Sequence, residues 1–172
     1  MKIALISSLT ALLAIAATDS SAQAKEALFK SDGMRGVTTS LLGIEIRNVP
    51  GAGAPWVLDK GVVRIDDLGM DSVVRLRLRV AGLVLDPAAV ASPPTGPGGT
   101  NPIPNFGVVI SCIDGVDGAG VPTFTNVTTD LFPADESGNA KLDTNIVLPT
   151  PCVGIIVFVT SPGGSWFAAT GF

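Results

Sequence analysis

The sequence contains no histidine and no tyrosine among its 172 residues. Without histidine, a Ser-His-Asp triad, a Cys-His pair and a histidine metal site are excluded. A hydrolase would need paired carboxylates or a Ser-Lys pair, and the lysines after the first two dozen residues are only Lys25, Lys30, Lys60 and Lys141. The glycine clusters at 51–53, 96–99 and 117–120 lack GxGxxG and P-loop spacing, so no cofactor is predicted.

Long apolar runs are confined to the N-terminus. Lys2 precedes a run from Ile3 to Ala17 that is apolar apart from two serines and a threonine, and Ala22-Gln23-Ala24 supplies a small-x-small cleavage pattern. This predicts a signal peptide over residues 1–24, with a retained anchor helix as the alternative. No later run approaches the roughly 20 apolar residues of a membrane helix. We therefore expect a secreted or periplasmic chain, residues 25–172, with no transmembrane segment after signal cleavage.

Charge is low and unevenly distributed. The formal net charge is −4; residues 25–79 hold nine basic and seven acidic residues, whereas residues 80–172 hold one lysine and seven acids. An acidic excess argues against nucleic acid as a partner, because nucleic-acid binding requires a strong basic field. The asymmetry is also explained if the two halves of one fold neutralise each other.

Cysteine occurs twice, at Cys112 and Cys152. An even pair in an exported protein is typical of a disulfide. No CxxC redox motif is present, and two thiols alone make a poor zinc site. We predict a Cys112–Cys152 disulfide with a structural role, and no metal ligands.

Apolar residues recur with period two, which indicates strands rather than helices. Strands are predicted near 41–49, as a hairpin over 60–80, and at 106–113, 123–129, 141–148, 152–160 and 165–172. About eight or nine short strands favour an all-β fold, an antiparallel β-sandwich that is immunoglobulin-like in architecture. A closed barrel is the alternative. Strand 152–160 is apolar on both faces and should be central, and an oligomer interface is one way to cover it.

A stretch rich in proline and glycine interrupts the pattern at 86–105. Six of the thirteen prolines lie there, and proline cannot donate a ladder hydrogen bond in a central strand. We interpret it as a long ordered loop within one domain, residues 25–172, rather than as a linker. Loops of this length are often functional.

Two groups of carboxylates are candidates for chemistry. Asp66 and Asp67, with Asp71, surround the predicted hairpin turn, and paired carboxylates can hydrolyse glycosides; we expect them to be solvated, which argues against catalysis. Asp114 and Asp117 lie in a glycine-rich stretch that would suit calcium, but EF-hand spacing is absent and a polar turn is the favoured interpretation.

Three arginines alternate with apolar residues in the stretch VVRLRLRV, residues 73–80. Side chains alternate across a strand, so Arg75, Arg77 and Arg79 share one face while the apolar residues line the other. Arg64 and Asp66 of the preceding strand would share the arginine face if the register aligns. The face is interpreted as a solvated charge ladder, and an anion-binding surface for an acidic polysaccharide or lipid headgroup is the alternative.

Trp56 and Trp166 are the only tryptophans. A tryptophan can stack on a sugar, but the chain has few aromatic residues with which to fill a core. Both are therefore predicted to be core residues.

Five segments resemble a group of small exported bacterial proteins with no known activity. They are PGAGAPWVLDKGVVRIDD (50–67), GLVLD (82–86), GTNPIPNFGVVISC (99–112), LPTPCVGIIVFVTSP (148–162) and WFAATGF (166–172). The resemblance implies an exported β domain with paired cysteines and brings no site residues.

Taken together, these features favour an exported non-catalytic protein that acts by binding or as an envelope or matrix component. They do not identify its partner, for which an envelope or glycan surface is the candidate. The alternatives are an exported hydrolase that uses paired carboxylates and a calcium-stabilised adhesion module.

Overall fold

The computed structural model describes residues 27–88 and 98–171. The predicted signal peptide, residues 1–24, lies outside them. The described residues form a single 3₁₀ turn at Thr39–Leu41 and twelve strands: β1 (Ala27–Ser31), β2 (Met34–Gly36), β3 (Trp56–Val57), β4 (Lys60–Met70), β5 (Val73–Ala81), β6 (Val84–Leu85), β7 (Asn105–Val116), β8 (Pro122–Thr128), β9 (Phe132–Pro133), β10 (Ala140–Val147), β11 (Val153–Thr160) and β12 (Trp166–Thr170). None of the described residues forms a helix long and apolar enough to cross a membrane.

The strands form two antiparallel sheets that enclose one hydrophobic core. The four-stranded sheet has the order β1-β4-β5-β10, and the six-stranded sheet has the order β2-β12-β11-β7-β8 with β9 paired to β7. The short strands β3 and β6 form a separate ribbon. The sheets are open at their edges, so the all-β sandwich prediction is confirmed and the closed barrel is not.

Alternation in β5 places the sheet relative to the core. Val74, Leu76, Leu78 and Val80 are all at most 3% exposed, while the arginines between them are exposed. The neighbouring β4 buries Val63 and Ile65 in the same core. Burial of a side chain of this size stabilises the fold by about 1.5–3 kcal/mol, which fixes the apolar face inward and turns the arginines outward.

The six-stranded sheet is apolar on both faces. Strand β11 lies between β7 and β12, as its two-sided apolar pattern predicts. Its outer face is covered by the chain itself: residues 38–54, here called the covering segment, lie across it. Trp166 is fully buried beneath this segment and donates its Nε1 hydrogen to the Ile44 carbonyl at 3.3 Å.

Arg47 anchors the covering segment. Its guanidinium donates to the Gly154 carbonyl at 2.6 Å and lies 5.0 Å from the ring centre of Phe124. The Asn126 side-chain amide donates to the Arg47 carbonyl at 2.8 Å. Arg47 also donates to the Ser111 carbonyl of β7 at 3.4 Å. These contacts hold the segment against β7, β8 and β11, so part of the outer face of this sheet is covered.

The predicted strand at 41–49 is wrong. Gly43, Arg47 and Asn48 have φ values of 66°, 50° and 64°, which lie in the left-handed region rather than the extended one. Ile46 and Val49 instead exchange backbone hydrogen bonds at 3.0 Å around a tight turn. The alternating Leu42, Ile44 and Ile46 therefore do not form one face, and Ile44 is 48% exposed.

The hairpin predicted over 60–80 is confirmed, but its turn lies further along the chain. Strand β4 continues to Met70 with a bulge between Asp67 and Met70. The reversal occurs at Asp71 and Ser72, where Ser72 has a φ of 63°. The bulge shifts the pairing by two residues, from Met70 opposite Val73 to Asp67 opposite Val74, and Arg75 therefore lies opposite Asp66.

The structure joins Cys112 and Cys152 in a disulfide, with Cα atoms 4.8 Å apart and a separation of 40 positions in the sequence. Cys112 is fully buried in β7, and Cys152 immediately precedes β11. The bond therefore links neighbouring strands of the six-stranded sheet. The chain-entropy estimate for such a loop gives up to about 4 kcal/mol of stabilisation.

The C-terminal part of the predicted loop 86–105 is held by hydrogen bonds. Asn101 is 5% exposed and donates its side-chain amide to the carbonyls of Ile103 and Asp135 at 2.8 and 2.9 Å. Its backbone N–H donates to the Glu136 carbonyl at 2.8 Å. Residues 98–105 therefore pack against the turn that precedes β10.

Candidate anion-binding face

The outer face of the four-stranded sheet carries the predicted arginine row. Cross-strand register places Asp66 opposite Arg75 and Arg64 opposite Arg77, so the register that the charge ladder requires is present. Strand β10 contributes two more charged side chains to this face: Asp143 lies opposite Arg77, and Lys141 lies opposite Arg79. We call this surface the basic face; its charged side chains among the described residues are Lys30, Lys60, Arg64, Asp66, Arg75, Arg77, Arg79, Lys141 and Asp143.

Asp66 is buried between two arginines, and the expectation that it is solvated is wrong. The Arg64 Nε atom lies 2.6 Å from Asp66 Oδ1, and Arg77 Nη2 bonds the other carboxylate oxygen. The side chain is only 12% exposed because these long side chains cover it. Burial alone raises the pKa of Asp66, but the hydrogen bonds and charges of Arg64 and Arg77 outweigh it and hold the pKa below its ordinary value. Asp66 is therefore ionised and neutralised.

Arg75 is neutralised by a different carboxylate. Its Nε and Nη2 atoms donate to Asp143 Oδ1 and Oδ2 at 2.7 and 2.8 Å, a bidentate pair between β5 and β10. These hydrogen bonds raise the pKa of Arg75 and lower the pKa of Asp143. Both side chains are more than a third exposed, so the pair is a surface ion pair of modest energy.

The third arginine of the row, Arg79, has no such partner. Within residues 27–88 and 98–171 it forms no hydrogen bond or ion pair, and the same holds for Lys60. Lys141 lies beside Arg79 and also forms no ion pair there, although its charge helps to lower the pKa of Asp143. Among the described residues, the three cations at this end of the basic face therefore form no ion pair.

A shallow groove of about 960 Å³ runs along this end. Lys60, Arg79 and Lys141 form one side, and Val62 and Ala81 contribute its apolar part. The other side is formed by residues 133–135 with Asn139 and Ala140. We call this the basic groove.

The far wall of the basic groove is a turn with fixed geometry. Asp135 accepts hydrogen bonds from the backbone N–H and the side-chain amide of Asn139 at 2.8 and 3.0 Å, and these lower its pKa. Gly138 has a φ of 72°, and a Cβ built on it would lie 2.1 Å from the Leu83 carbonyl oxygen. The turn therefore requires glycine at this position and keeps an ionised carboxylate on the groove wall.

The carboxylates at the β4–β5 hairpin do not form a catalytic pair. Asp66 and Asp67 are consecutive in a strand and point to opposite faces. Asp67 Oδ1 accepts the Gly69 backbone N–H at 2.6 Å, and Asp71 lies beyond in the turn. Asp66, held ionised by two arginines, is a poor proton donor.

The aspartates proposed for calcium each have other partners. Asp114 accepts hydrogen bonds from the hydroxyls of Thr123 and Thr125, and Asp117 Oδ1 accepts the backbone N–H groups of Ala119 and Val121 at 2.8 and 2.9 Å. Asp117 lies in a turn, as the polar-turn interpretation expects, whereas Asp114 lies in β7 and its hydroxyl partners belong to β8, so that interpretation is wrong for Asp114. Within the described part of the chain, no three acidic or cysteine side chains cluster where they could hold a metal ion.

Both tryptophans lie in the core. Trp56 is 4% exposed and stacks on Phe167 with ring centres 4.1 Å apart, and Trp166 is fully buried. Neither ring is presented to a sugar, so the core interpretation is confirmed.

Comparisons of the chain with protein-family models, with curated proteins and with solved structures found no match. What the protein does must therefore be inferred from its own surfaces. Of these, the basic face combines exposure, net charge and a groove.

From the sequence, Arg75, Arg77 and Arg79 were identified as a candidate site and Asp66 was placed on the same face. The charged residues of β10 were missed. Asp143 and Lys141 belong to a strand more than 60 residues further along the chain, and only the register between β5 and β10 brings them to the arginines. The alternation in KLDTNIV marks them as outward-facing, but not as neighbours of β5. Asp135 carries no local signal, since its position depends on the turn at Gly138.

Proposed function

We propose that this protein is an exported, non-catalytic β-sandwich that binds an anionic partner of the cell envelope or surrounding matrix through its basic face. The apolar N-terminal run with its cleavage pattern and the paired cysteines support export. The resemblance to small exported bacterial proteins agrees with this.

The observation that carries the proposal is the charge of the basic face. Among the described residues it presents seven cationic side chains and two carboxylates, in a chain whose formal net charge is −4. The excess is therefore local. A positively charged surface attracts a negatively charged partner and raises the rate at which the two associate.

Binding fits the geometry better than catalysis. The carboxylates of the basic face are each paired with arginine, and those at the hairpin point in different directions. No two acidic side chains of the described residues converge on a cavity where one would be a proton donor. The exposed cations, by contrast, are already arranged to contact an anion.

The test is retention of the purified exported protein on a matrix that carries a polyanion, compared with a neutral matrix of the same polymer. We expect retention at low ionic strength and release by salt, because exposed charges are screened over about 10 Å at 0.1 M. Replacing Arg75, Arg77 and Arg79 with serine should move elution to much lower salt. Replacing Arg35, an exposed cation on the other sheet, with serine is the matched control and should elute close to the parent protein.

Circular dichroism and thermal melting establish that each variant is folded. The Lys60→Gln, Lys141→Gln double variant removes two cations without touching an ion pair, so it tests the surface even if the triple variant unfolds. The proposal fails if the parent protein passes through the polyanion matrix at low salt. It also fails if folded variants of the basic face elute like the Arg35 control.

A further inference from the structure

The two carboxylates divide the basic face into unequal parts. Asp66 is shared by Arg64 and Arg77, and Asp143 is held by Arg75. A ligand anion at these arginines would compete with a carboxylate already in place. At Arg79, Lys60 and Lys141 it would meet no such competitor among the described residues. The part of the face that is ready for an anion is therefore the basic groove rather than the whole arginine row.

Direct cross-strand pairing brings two of these cations together. Arg79 and Lys141 are opposite each other in the β5–β10 register, which places their Cβ atoms about 5 Å apart. Both extend from the same side of the sheet, so one acid group can contact both. A planar guanidinium beside an ammonium is well suited to a carboxylate, because the first binds it in two places and the second as a point charge.

The far wall of the groove carries a negative charge. Asp135 is ionised, forms no ion pair in the described part of the chain, and accepts hydrogen bonds from Asn139 and from the Ser137 backbone N–H. A carboxylate can accept about four hydrogen bonds in all, so Asp135 has an acceptor site left for a hydroxyl group. It also repels a ligand whose surface is uniformly negative. The groove thus offers cations to an acid group and an acceptor to a neighbouring hydroxyl.

Apolar surface accompanies these polar groups. Val62, Ala81, Pro133 and Ala134 also line the groove, and Val62 lies directly opposite Arg79. The C–H faces of a sugar ring can pack on such a surface. A ligand with one acid group, several hydroxyls and an apolar ring face matches all three parts of the groove, whereas the headgroups of an anionic bilayer would bring many negative charges against Asp135.

Building on the proposed anion-binding function, we propose that the basic groove binds an acidic polysaccharide, with a sugar carboxylate on Arg79 and Lys141, a ring hydroxyl on Asp135, and Lys60 next to the following residue of the glycan. Arg75 and Arg77 are structural members of the face and do not contact the glycan. The ligand class is a polyuronate rather than a lipid.

The experiment is isothermal titration of the exported protein with four probes: tetragalacturonate, the neutral tetrasaccharide of galactose, tetraglutamate, and vesicles of an anionic phospholipid. Tetraglutamate matches the carboxylates and lacks the ring hydroxyls. We expect tetragalacturonate to bind most tightly, and the neutral sugar not to bind. Arg79→Gln and Lys141→Gln should each weaken tetragalacturonate about tenfold or more, since each removes a charge-assisted hydrogen bond. Arg35→Gln, which removes an exposed cation from the other sheet, is the control and should change it less than twofold.

The outcomes separate this proposal from the broader one. If vesicles or tetraglutamate bind as tightly as tetragalacturonate, the polyuronate assignment is overturned although anion binding stands. If Arg79→Gln weakens binding no more than Arg35→Gln does, the assignment to the basic groove is overturned. If the parent protein binds no anionic probe and is not retained on the polyanion matrix, both proposals fail together.

Discussion

The outer faces of the two sheets differ in their exposure to solvent. On the six-stranded sheet the covering segment buries Trp166 and Phe158 completely, and Arg47 is used as an anchor. On the four-stranded sheet nothing in the described residues covers the arginines, whose side chains at positions 75 and 77 remain 49% and 45% exposed. Apolar side chains on an outer face therefore require a cover, and charged ones do not. The open sheet is the one that can meet a partner.

Substitutions on the covered face should lower the free energy of unfolding more than substitutions on the open face. Trp166→Ala removes a fully buried ring and its contact with the covering segment, and should lower the free energy of unfolding by about 3–5 kcal/mol. Arg79→Ala on the open face should change it by no more than about 0.5 kcal/mol. Urea unfolding followed by circular dichroism measures both. Similar losses in the two variants would contradict the division between a packed face and a solvated one.

Asp66 lies on the open face, but its side chain is buried. Asp66→Asn weakens charge-assisted hydrogen bonds to Arg64 and Arg77, and should cost about 1–3 kcal/mol near pH 7. Because the pKa of Asp66 is lowered in the folded protein, this stabilisation is present above the ordinary aspartate pKa of about 3.9 and is lost as the pH falls through the folded value. The difference between parent and variant should therefore shrink in acid.

Urea unfolding at pH 7 and at pH 3 provides the measurement for Asp66. Asp130→Asn is the control, since its side chain is exposed and forms no contact within the described residues. A difference between the parent protein and Asp66→Asn that stays constant across this range would show that the pairing with the two arginines does not stabilise the fold.

The smallest effect is expected at Arg75 and Asp143. Both side chains are well exposed, and exposed pairs contribute little because solvent screens them and their side chains must be ordered. The Arg75→Gln, Asp143→Asn double variant should melt at the parent temperature within error, at low and at high salt. A clear drop in melting temperature would mean that this pair, like that of Asp66, is part of the packed structure.

Local pattern predicted much of this architecture. Alternation in VVRLRLRV assigned each arginine to the solvent side, and the two-sided apolar run at 152–160 identified the centre of a sheet. The same reasoning failed at 41–49, because Leu42, Ile44 and Ile46 have strand spacing while Gly43, Arg47 and Asn48 are left-handed. Spacing indicates which residues could share a face, but the backbone must also be extended over the whole stretch.

The candidate site depended on information that no local window contains. Asp66 is buried by arginine side chains of its own strand and the next. The sequence around it therefore resembles a solvated turn, although the side chain is buried. Arg75 pairs with Asp143, and Arg79 has no comparable partner among the described residues. Both facts follow from a register between strands that are distant in sequence. The tertiary structure therefore determines which arginines of the row are paired with carboxylates.

Gly138 gives this arrangement a signature that can be followed through evolution. Its φ of 72° and its close approach to the Leu83 carbonyl leave little room for any other residue, yet it contacts no ligand in the proposed complex. A lineage that keeps the groove should keep this glycine together with Arg79 and Lys141, while Arg75 and Asp143 should be free to change as a pair. In a lineage that has lost the groove, Arg79 and Lys141 should drift, while Gly138 should remain because the turn still requires it.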